Sequence, residues 1–137
     1  MTAFAARTLG YHVNVLDPDP HAPAFAVANQ AITAPFDDEI AAARLAENSD
    51  VVTLEIEQVS TVTIEACARF APTRPSAAAV FTVQERGRQK EFLAKHGFPL
   101  GAFRVVDNAS DCEAAVAALG PSIVKATMGG YDGRGQV

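Results

Sequence analysis

The amino-acid sequence predicts an α/β protein in which helices cover a parallel sheet. In the first 70 residues, short strand-like runs of alternating apolar residues are interspersed with helix-like segments, whose apolar residues recur every three or four positions. This alternation is typical of parallel sheets. A second series of helical and strand-like segments follows a proline-punctuated stretch, "APTRPSAAA". We therefore place two domains in the chain, over residues 1–74 and 75–137.

The N-terminal segment predicts one helix and two strands. The helix is "MTAFAARTLG", and Gly10 supplies its C-terminal stop. Tyr11 to Asp17 alternates apolar and polar residues, which predicts a half-buried strand, and Ala31 to Thr33 predicts a short second strand. Because such a sheet normally begins with a strand and this chain begins with a helix, we expect the first strand of the domain to be missing.

The next segment predicts a helix, a strand and a helix. The first helix begins at about Asp38, with Ile40, Ala43 and Leu45 expected on its inner side. Val51 to Ile56 gives the strongest strand pattern of the chain, and "TVTIEACARF" has helical spacing.

Beyond the linker, the sequence predicts two short helices, near Ala77–Val83 and Gln84–His96, and then a strand at "AFRVVD". Ser110 and Glu113 in "SDCE" fit a capping box, which would start a helix that ends at Gly120-Pro121. The next strand, "SIVKA", leads into a glycine-rich loop.

Composition and charge limit the classes of molecule that the chain is expected to bind. The 137 residues are 49% hydrophobic and carry a net charge of −5 without a Lys/Arg block, which argues against nucleic acid as a partner. Cys67 and Cys112 show no metal-like or C-x-x-C spacing, and the histidines share none either, so we predict reduced thiols and no metal site. No apolar run approaches the ~18 residues of a membrane span. We expect a soluble, cytoplasmic protein without a membrane partner.

The stretch "IVKATMGGYDGRGQV" at the end of the chain combines glycines with cations. Glycines leave backbone N–H groups unobstructed, and such groups bind phosphate oxygens. Lys125 stands just before the loop and Arg134 within it. The G-x-x-x-x-G-K-[ST] spacing of a P-loop is absent. On these residues alone, nucleotide binding and an ordinary flexible hairpin both stay open.

Four segments of the chain resemble, in order and spacing, the 5-(carboxyamino)imidazole ribonucleotide synthase family, whose members are ATP-grasp enzymes of purine biosynthesis. The segments are "VLDPDPHAPA", "DVVTLEIEQV", "QERGRQKEFLAKHGFPLGAF" and "VKATMGGYDGRGQ". The resemblance implies a Rossmann-like pre-ATP-grasp domain that lacks its first strand, followed by the beginning of an ATP-grasp domain. The chain then resembles an internal fragment of a family member.

The resemblance also implies a reaction. Family members use ATP and bicarbonate to carboxylate 5-aminoimidazole ribonucleotide, releasing ADP and phosphate, in de novo purine biosynthesis. It implies ATP and Mg²⁺ as cofactors, with the Mg²⁺ ligands beyond the end of this chain, and a homodimeric parent protein. We expect the isolated chain to be inactive.

Particular residues match family positions. Arg86 and Lys125 match residues that contact ATP. A loop over ATP is implied for Gly130, Tyr131, Asp132, Gly133, Arg134, Gly135 and Gln136. Tyr131 and Asp132 are also expected to face the ribonucleotide, where Asp132 would act catalytically by orienting the substrate amine. Alternatively, Asp132 only makes a turn, since Asp-Gly is a common turn pair.

A substrate contact is also predicted in the first domain. Glu55 and Glu57 lie two residues apart, so a strand would project both toward one face. At the carboxyl end of a strand, that face meets the crevice in which α/β sheets bind ligands. We expect Glu57 to contact a ribose hydroxyl, with a solvated edge carboxylate as the alternative.

Three residues depart from the family pattern. Glu85 stands where Asp is usual, Ser60 replaces a usual Pro, and Gly87 stands where a larger helix former is usual. Gly87 is expected to weaken its helix by up to ~1 kcal/mol. Two other functions stay open: another ATP-grasp ligase or carboxylase, and a non-catalytic, nucleotide-binding Rossmann-like module.

Overall fold

A computed structural model describes residues 1–130 and 134–137 of the chain. The chain divides into two compact units, Met1–Phe81 and Thr82–Val137. The domain boundary at residues 74 and 75 stays a prediction.

The described residues form six α-helices and four short strands. The helices are α1 (Thr2–Thr8), α2 (Glu39–Glu47), α3 (Thr61–Ala68), α4 (Ala77–Gln84), α5 (Arg86–Lys95) and α6 (Ala109–Leu119). The strands are β1 (Asn14–Asp17), β2 (Gln30–Thr33), β3 (Val52–Thr53) and β4 (Thr73–Arg74). A 3-10 helix, Pro23–Val27, follows the turn after β1. None of the helices within these residues has the length and apolarity needed to traverse a bilayer.

The strand pairs of the first unit are parallel, as predicted. β1 pairs with β2 in the register Asn14↔Gln30 to Asp17↔Thr33. β3 pairs with β4, with Val52 opposite Thr73, and β4 lies inside the segment that the sequence predicted as a linker.

The strand predicted over Val51–Ile56 is wrong in length, because its partner is only two residues long. The Val52 N–H donates to the Pro72 carbonyl at 2.9 Å. Pro75 follows β4 and has no N–H to donate, so the ladder does not continue through it. Strand length here is set by the partner rather than by local pattern.

Helix α2 begins where the sequence predicted, but with a different inner face. The Asp38 carboxylate accepts hydrogen bonds from the N–H groups of Ile40 at 3.0 Å and Ala41 at 2.9 Å, as an N-cap does. The prediction for Ile40 is wrong: it is 75% exposed, and the buried residues of the helix are alanines at 41, 42 and 46. Small side chains let α3 approach closely, and the Cys67 thiol lies 3.4 Å from the Ala42 carbonyl oxygen.

Two small clusters make up the core of the first unit. One contains Ala42, Ala46, Val52, Cys67 and Ala71. The other contains Val59, Ile64 and Val80, with Phe36, Leu54 and Ala77 packed against it. Both clusters draw on helices and on the β3 region, so they hold the helices onto the short parallel strands.

In the second unit, the helix stops were predicted better than the helix starts. Gly97 after α5 and Gly120 after α6 have φ of 74° and 79°, and each follows its helix as a stop. The capping box at Ser110 and Glu113 is wrong. Asn108 caps α6 instead, accepting from the Asp111 N–H at 2.9 Å and donating to the Asp111 carboxylate at 2.7 Å. The strand predicted at "AFRVVD" has no regular structure.

Candidate functional site

The glycine-rich segment folds back on itself as an antiparallel pair. The Val124 N–H donates to the Val137 carbonyl at 2.8 Å, and the reverse bond is 2.9 Å long. Between them and the turn, Lys125 lies opposite Gln136. We call the described residues 124–130 and 134–137 the glycine hairpin. Its backbone presents the exposed Lys125 at the base of the turn.

Glycine permits this close pairing at one end of the turn. Gly135 has a φ of 68°, in the left-handed region of backbone conformation that residues other than glycine rarely adopt. A β-carbon at this position would lie 3.1 Å from the Ala126 β-carbon. The Ala126 N–H donates to the Gly135 carbonyl at 2.6 Å, so a larger residue would push this hydrogen bond apart.

The structure describes only some of the predicted site residues of the loop. Tyr131, Asp132 and Gly133 lie outside the described residues, so the catalytic role of Asp132 stays a prediction. Arg134 and Gln136 are exposed on the returning strand of the hairpin, and their contacts with ATP also stay predictions.

The start of α5 is joined to the glycine hairpin. The Arg86 N–H donates to the Thr127 carbonyl at 2.8 Å. Because Thr127 is two residues beyond Lys125, the structure brings together the two segments that carry the predicted ATP cations. The sequence did not identify Thr127, since a backbone carbonyl leaves no signature in side-chain pattern.

The Arg86 side chain is half-buried, and its Nε atom is buried without a hydrogen-bond partner among residues 1–130 and 134–137. Most buried polar atoms in native proteins have a partner. Guanidinium groups form strong charge-assisted hydrogen bonds with anions, so a half-buried Arg86 beside the glycine hairpin is compatible with an anionic ligand.

Glu85 caps α5 with both carboxylate oxygens. Oε1 accepts from the Gly87 N–H at 2.8 Å and Oε2 from the Arg88 N–H at 2.7 Å. These bonds, the one from Arg88 first, lower the pKa of the Glu85 carboxyl below its usual value. The sequence signal for this cap is an acidic residue just before a helix.

Helix α5 also packs against the irregular segment 101–106. Gly87 is buried, and a β-carbon there would lie 3.2 Å from the Val105 Cγ2 atom. The Lys90 ammonium lies 5.8 Å from the centroid of the Phe103 ring. These contacts fix the helix that carries Arg86 within the second unit.

Glu55 and Glu57 do not lie on one strand, because β3 ends at Thr53. Glu55 accepts hydrogen bonds from the N–H and the hydroxyl of Thr2, the N–H bond being 2.9 Å long. The hydroxyl bond first and the N–H bond second lower the pKa of the Glu55 carboxyl. Glu57 is exposed, and its contact with a ribose stays a prediction.

The described part of the chain contains no group of three or more His, Cys, Asp or Glu side chains placed to hold a metal ion.

Two family models match the chain. The ribonucleotide synthetase preATP-grasp domain matches residues 1–84, and the ATP-grasp domain matches residues 91–137. These matches confirm the predicted class, a pre-ATP-grasp domain followed by ATP-grasp sequence.

Named relatives match the chain across both units. N5-carboxyaminoimidazole ribonucleotide synthase from Brucella melitensis is 41% identical over 138 residues, which is 100% of this chain and 38% of that protein. The chain thus spans well under half the length of this relative. The sequence-based resemblance to this enzyme family is confirmed.

Solved structures give the same result. N5-carboxyaminoimidazole synthetase from Staphylococcus aureus, complexed with ADP, superposes with a TM-score of 0.92 at 37% identity, covering 100% of this chain and 37% of that one. The Aspergillus clavatus enzyme, in complex with ADP and 5-aminoimidazole ribonucleotide, gives a TM-score of 0.79 at 32% identity, covering 98% of this chain and 35% of that one.

Proposed function

The chain belongs to the ribonucleotide synthetase preATP-grasp domain family, and on that premise we propose that it forms part of an N5-carboxyaminoimidazole ribonucleotide synthase. The full-length protein, meaning this chain within a polypeptide as long as its relatives, would carboxylate 5-aminoimidazole ribonucleotide with bicarbonate and ATP. The reaction would belong to de novo purine biosynthesis.

One observation carries this proposal: the likeness to named synthases extends over the whole chain and through both units. Among the similar structures, one holds ADP together with 5-aminoimidazole ribonucleotide. A similarity confined to the glycine hairpin would support nucleotide binding alone. Similarity through the preATP-grasp unit as well supports the same ribonucleotide substrate.

The proposed reaction has two steps that balance. A bicarbonate oxygen attacks the γ-phosphorus of ATP, the bond to the bridging oxygen of ADP breaks, and carboxyphosphate forms. The exocyclic amine of the ribonucleotide then forms a nitrogen–carbon bond, phosphate leaves, and the amine loses a proton. No covalent enzyme intermediate is needed, so the protein would act through positioning and charge neutralisation.

The described residues suit the first step. Lys125 at the base of the hairpin and Arg86 at the start of α5 are the cations we assign to the ATP phosphates. The half-buried Arg86 side chain lies beside the glycine hairpin, and a guanidinium forms strong, charge-assisted hydrogen bonds with phosphate oxygens. We assign the loop from Gly130 to Gln136 to the cover over the nucleotide.

Ribonucleotide contacts are assigned from the family match. We propose that Tyr131 and Asp132 face the substrate and that Asp132 orients the amine by accepting its hydrogen bond. We also propose that Glu57 binds a ribose hydroxyl.

From the family resemblance, we propose that Mg²⁺ is held by ligands that lie outside this chain. From the family resemblance alone, we further propose a homodimeric, cytoplasmic protein with domains at 1–74 and 75–137.

Release of ADP by the full-length protein tests the proposal. ATP turnover should rise on addition of 5-aminoimidazole ribonucleotide, because the amine consumes the carboxyphosphate. Turnover that is indifferent to this ribonucleotide, or that responds only to another amine acceptor, would contradict the assignment.

A further inference from the structure

The N-cap residue of α5, Glu85, has a longer side chain than the residues usually found at this position. Preferred caps are Asn, Asp, Ser and Thr, whose short side chains reach the second and third N–H groups of the helix. Glu85 has one methylene more than Asp, yet its two oxygens reach the same two groups, at 2.8 Å from the Gly87 nitrogen and 2.7 Å from the Arg88 nitrogen. The longer side chain must therefore fold back over the first turn.

Gly87 supplies the space into which the carboxylate folds. A β-carbon at residue 87 would lie 3.1 Å from Glu85 Oε1 and 3.3 Å from Oε2. It would also lie 3.2 Å from Val105 Cγ2. These distances are shorter than ordinary van der Waals contacts, so any other residue here would press on the capping carboxylate or on Val105.

The residue between the two members of this pair belongs to the candidate nucleotide site. Arg86 is the first residue of α5, and its N–H donates to the Thr127 carbonyl of the glycine hairpin at 2.8 Å. The cap fixes the backbone on either side of Arg86. It therefore fixes the direction of this N–H and the root of the Arg86 side chain.

We propose that Glu85 and Gly87 are a matched pair of positioning residues, which hold Arg86 and, through Thr127, the glycine hairpin in the arrangement that binds the nucleotide. The pair acts through its neighbours and need not touch the ligand. This inference rests on the proposed function only for the identity of the ligand, because the contacts among Glu85, Gly87, Arg86 and Thr127 are features of the protein itself.

A set of four variants of the full-length protein tests the pairing: Gly87→Ala, Glu85→Asp, the double variant Glu85→Asp/Gly87→Ala, and Gly87→Ala/Val105→Ala. Two readouts are taken for each. Steady-state kinetics gives KM for ATP and kcat. Hydrogen exchange at the Arg86 amide, followed by NMR without nucleotide, reports the bond to Thr127.

We expect Gly87→Ala to raise KM for ATP by about fivefold, because the capping carboxylate must move away from the added β-carbon. The value of kcat should change little, because ground-state and transition-state binding weaken together. Exchange of the Arg86 amide should quicken by a similar factor. Glu85→Asp alone should change neither readout much, since the shorter acid is a normal cap. In the double variant Glu85→Asp/Gly87→Ala, both readouts should return to within about twofold of the original protein.

The four variants distinguish a pairing of Glu85 with Gly87 from steric crowding between residue 87 and Val105. Rescue by Val105→Ala but not by Glu85→Asp would overturn the pairing, and so would four variants with unchanged KM and unchanged exchange. If Gly87→Ala does not fold, a folded double variant with Glu85→Asp supports the pair and an unfolded one overturns it. If the unaltered protein does not bind ATP, the proposed function fails, and the amide exchange alone then decides whether the pair positions Arg86.

Discussion

Replacing Arg86 with methionine should separate stability from nucleotide binding. The Nε atom of Arg86 is buried without a partner in the described residues, and an unsatisfied buried donor costs roughly 1–3 kcal/mol. Methionine keeps an unbranched stem of similar length and removes that donor. The Arg86 N–H, which holds the hairpin through Thr127, is unaffected. We therefore expect the free energy of unfolding without ATP to stay the same or to rise by about 1 kcal/mol.

Binding should change in the opposite direction. Loss of a charge-assisted hydrogen bond to phosphate costs about 1.5–3 kcal/mol, or roughly a 10- to 100-fold weaker Kd for ATP. Thermal unfolding of the full-length protein, with and without ATP, measures both effects, because a ligand that binds only the folded state raises Tm with its affinity. Arg44→Met is the matched control, since Arg44 is an exposed arginine on α2. A variant that loses stability without ATP, yet keeps its Tm rise with ATP, would refute this account of Arg86.

Three further predictions address single side chains. Lys125→Ala should weaken ATP binding by about 1.5–3 kcal/mol in calorimetry, whereas Gln30→Ala should not, and equal affinities would mean that Lys125 is a surface residue. Asp38→Ala should lower the free energy of unfolding by about 1 kcal/mol because two N–H groups of α2 lose their acceptor, and chemical denaturation should show a smaller effect for Asp37→Ala. Since folding lowers the pKa of Glu85 below its ordinary 4.5, its cap is fully formed above that value and is lost as pH falls through the lowered pKa. Protection of the Arg86 amide should fall over the same acidic range, and a fall of equal size in Glu85→Gln would contradict the role of the carboxylate.

Helices were predicted well where local chemistry decides them. Gly10, Gly97 and Gly120 follow α1, α5 and α6 with positive φ, and a glycine at such a position is visible in the sequence. The cap at Asp38 was also visible. By contrast, Asn108 rather than Ser110 starts α6, because two neighbouring residues both had suitable side chains and only the backbone geometry chooses between them.

Strands and faces depend on partners that the local sequence does not contain. β3 is two residues long because its partner β4 is equally short. The prolines around β4 made its segment resemble a linker. The exposure of Ile40 follows from the close approach of α3 to the alanine face of α2, a packing choice with no local signal. The same holds for the candidate site. Arg86 and Lys125 are assigned from the family resemblance, but the hydrogen bond that joins their segments through Thr127 is a tertiary contact that the local sequence does not predict.

Two departures from the family pattern are connected in space. The sequence alone predicts that Gly87 weakens its helix and does not connect it with Glu85. The structure places the Glu85 carboxylate where a side chain at residue 87 would begin. The helix cost of Gly87 stays a prediction, and the glycine also leaves room for the longer acid.

The central claim is that the full-length protein transfers the carbon of bicarbonate to 5-aminoimidazole ribonucleotide at the expense of ATP. Incubation with ¹³C-bicarbonate, the ribonucleotide and ATP, followed directly by ¹³C NMR at mildly alkaline pH, tests it. We predict a new carbamate carbon signal that grows in step with ADP and phosphate and is absent without ATP. ADP formation in the presence of the ribonucleotide without any labelled carbamate would contradict the claim.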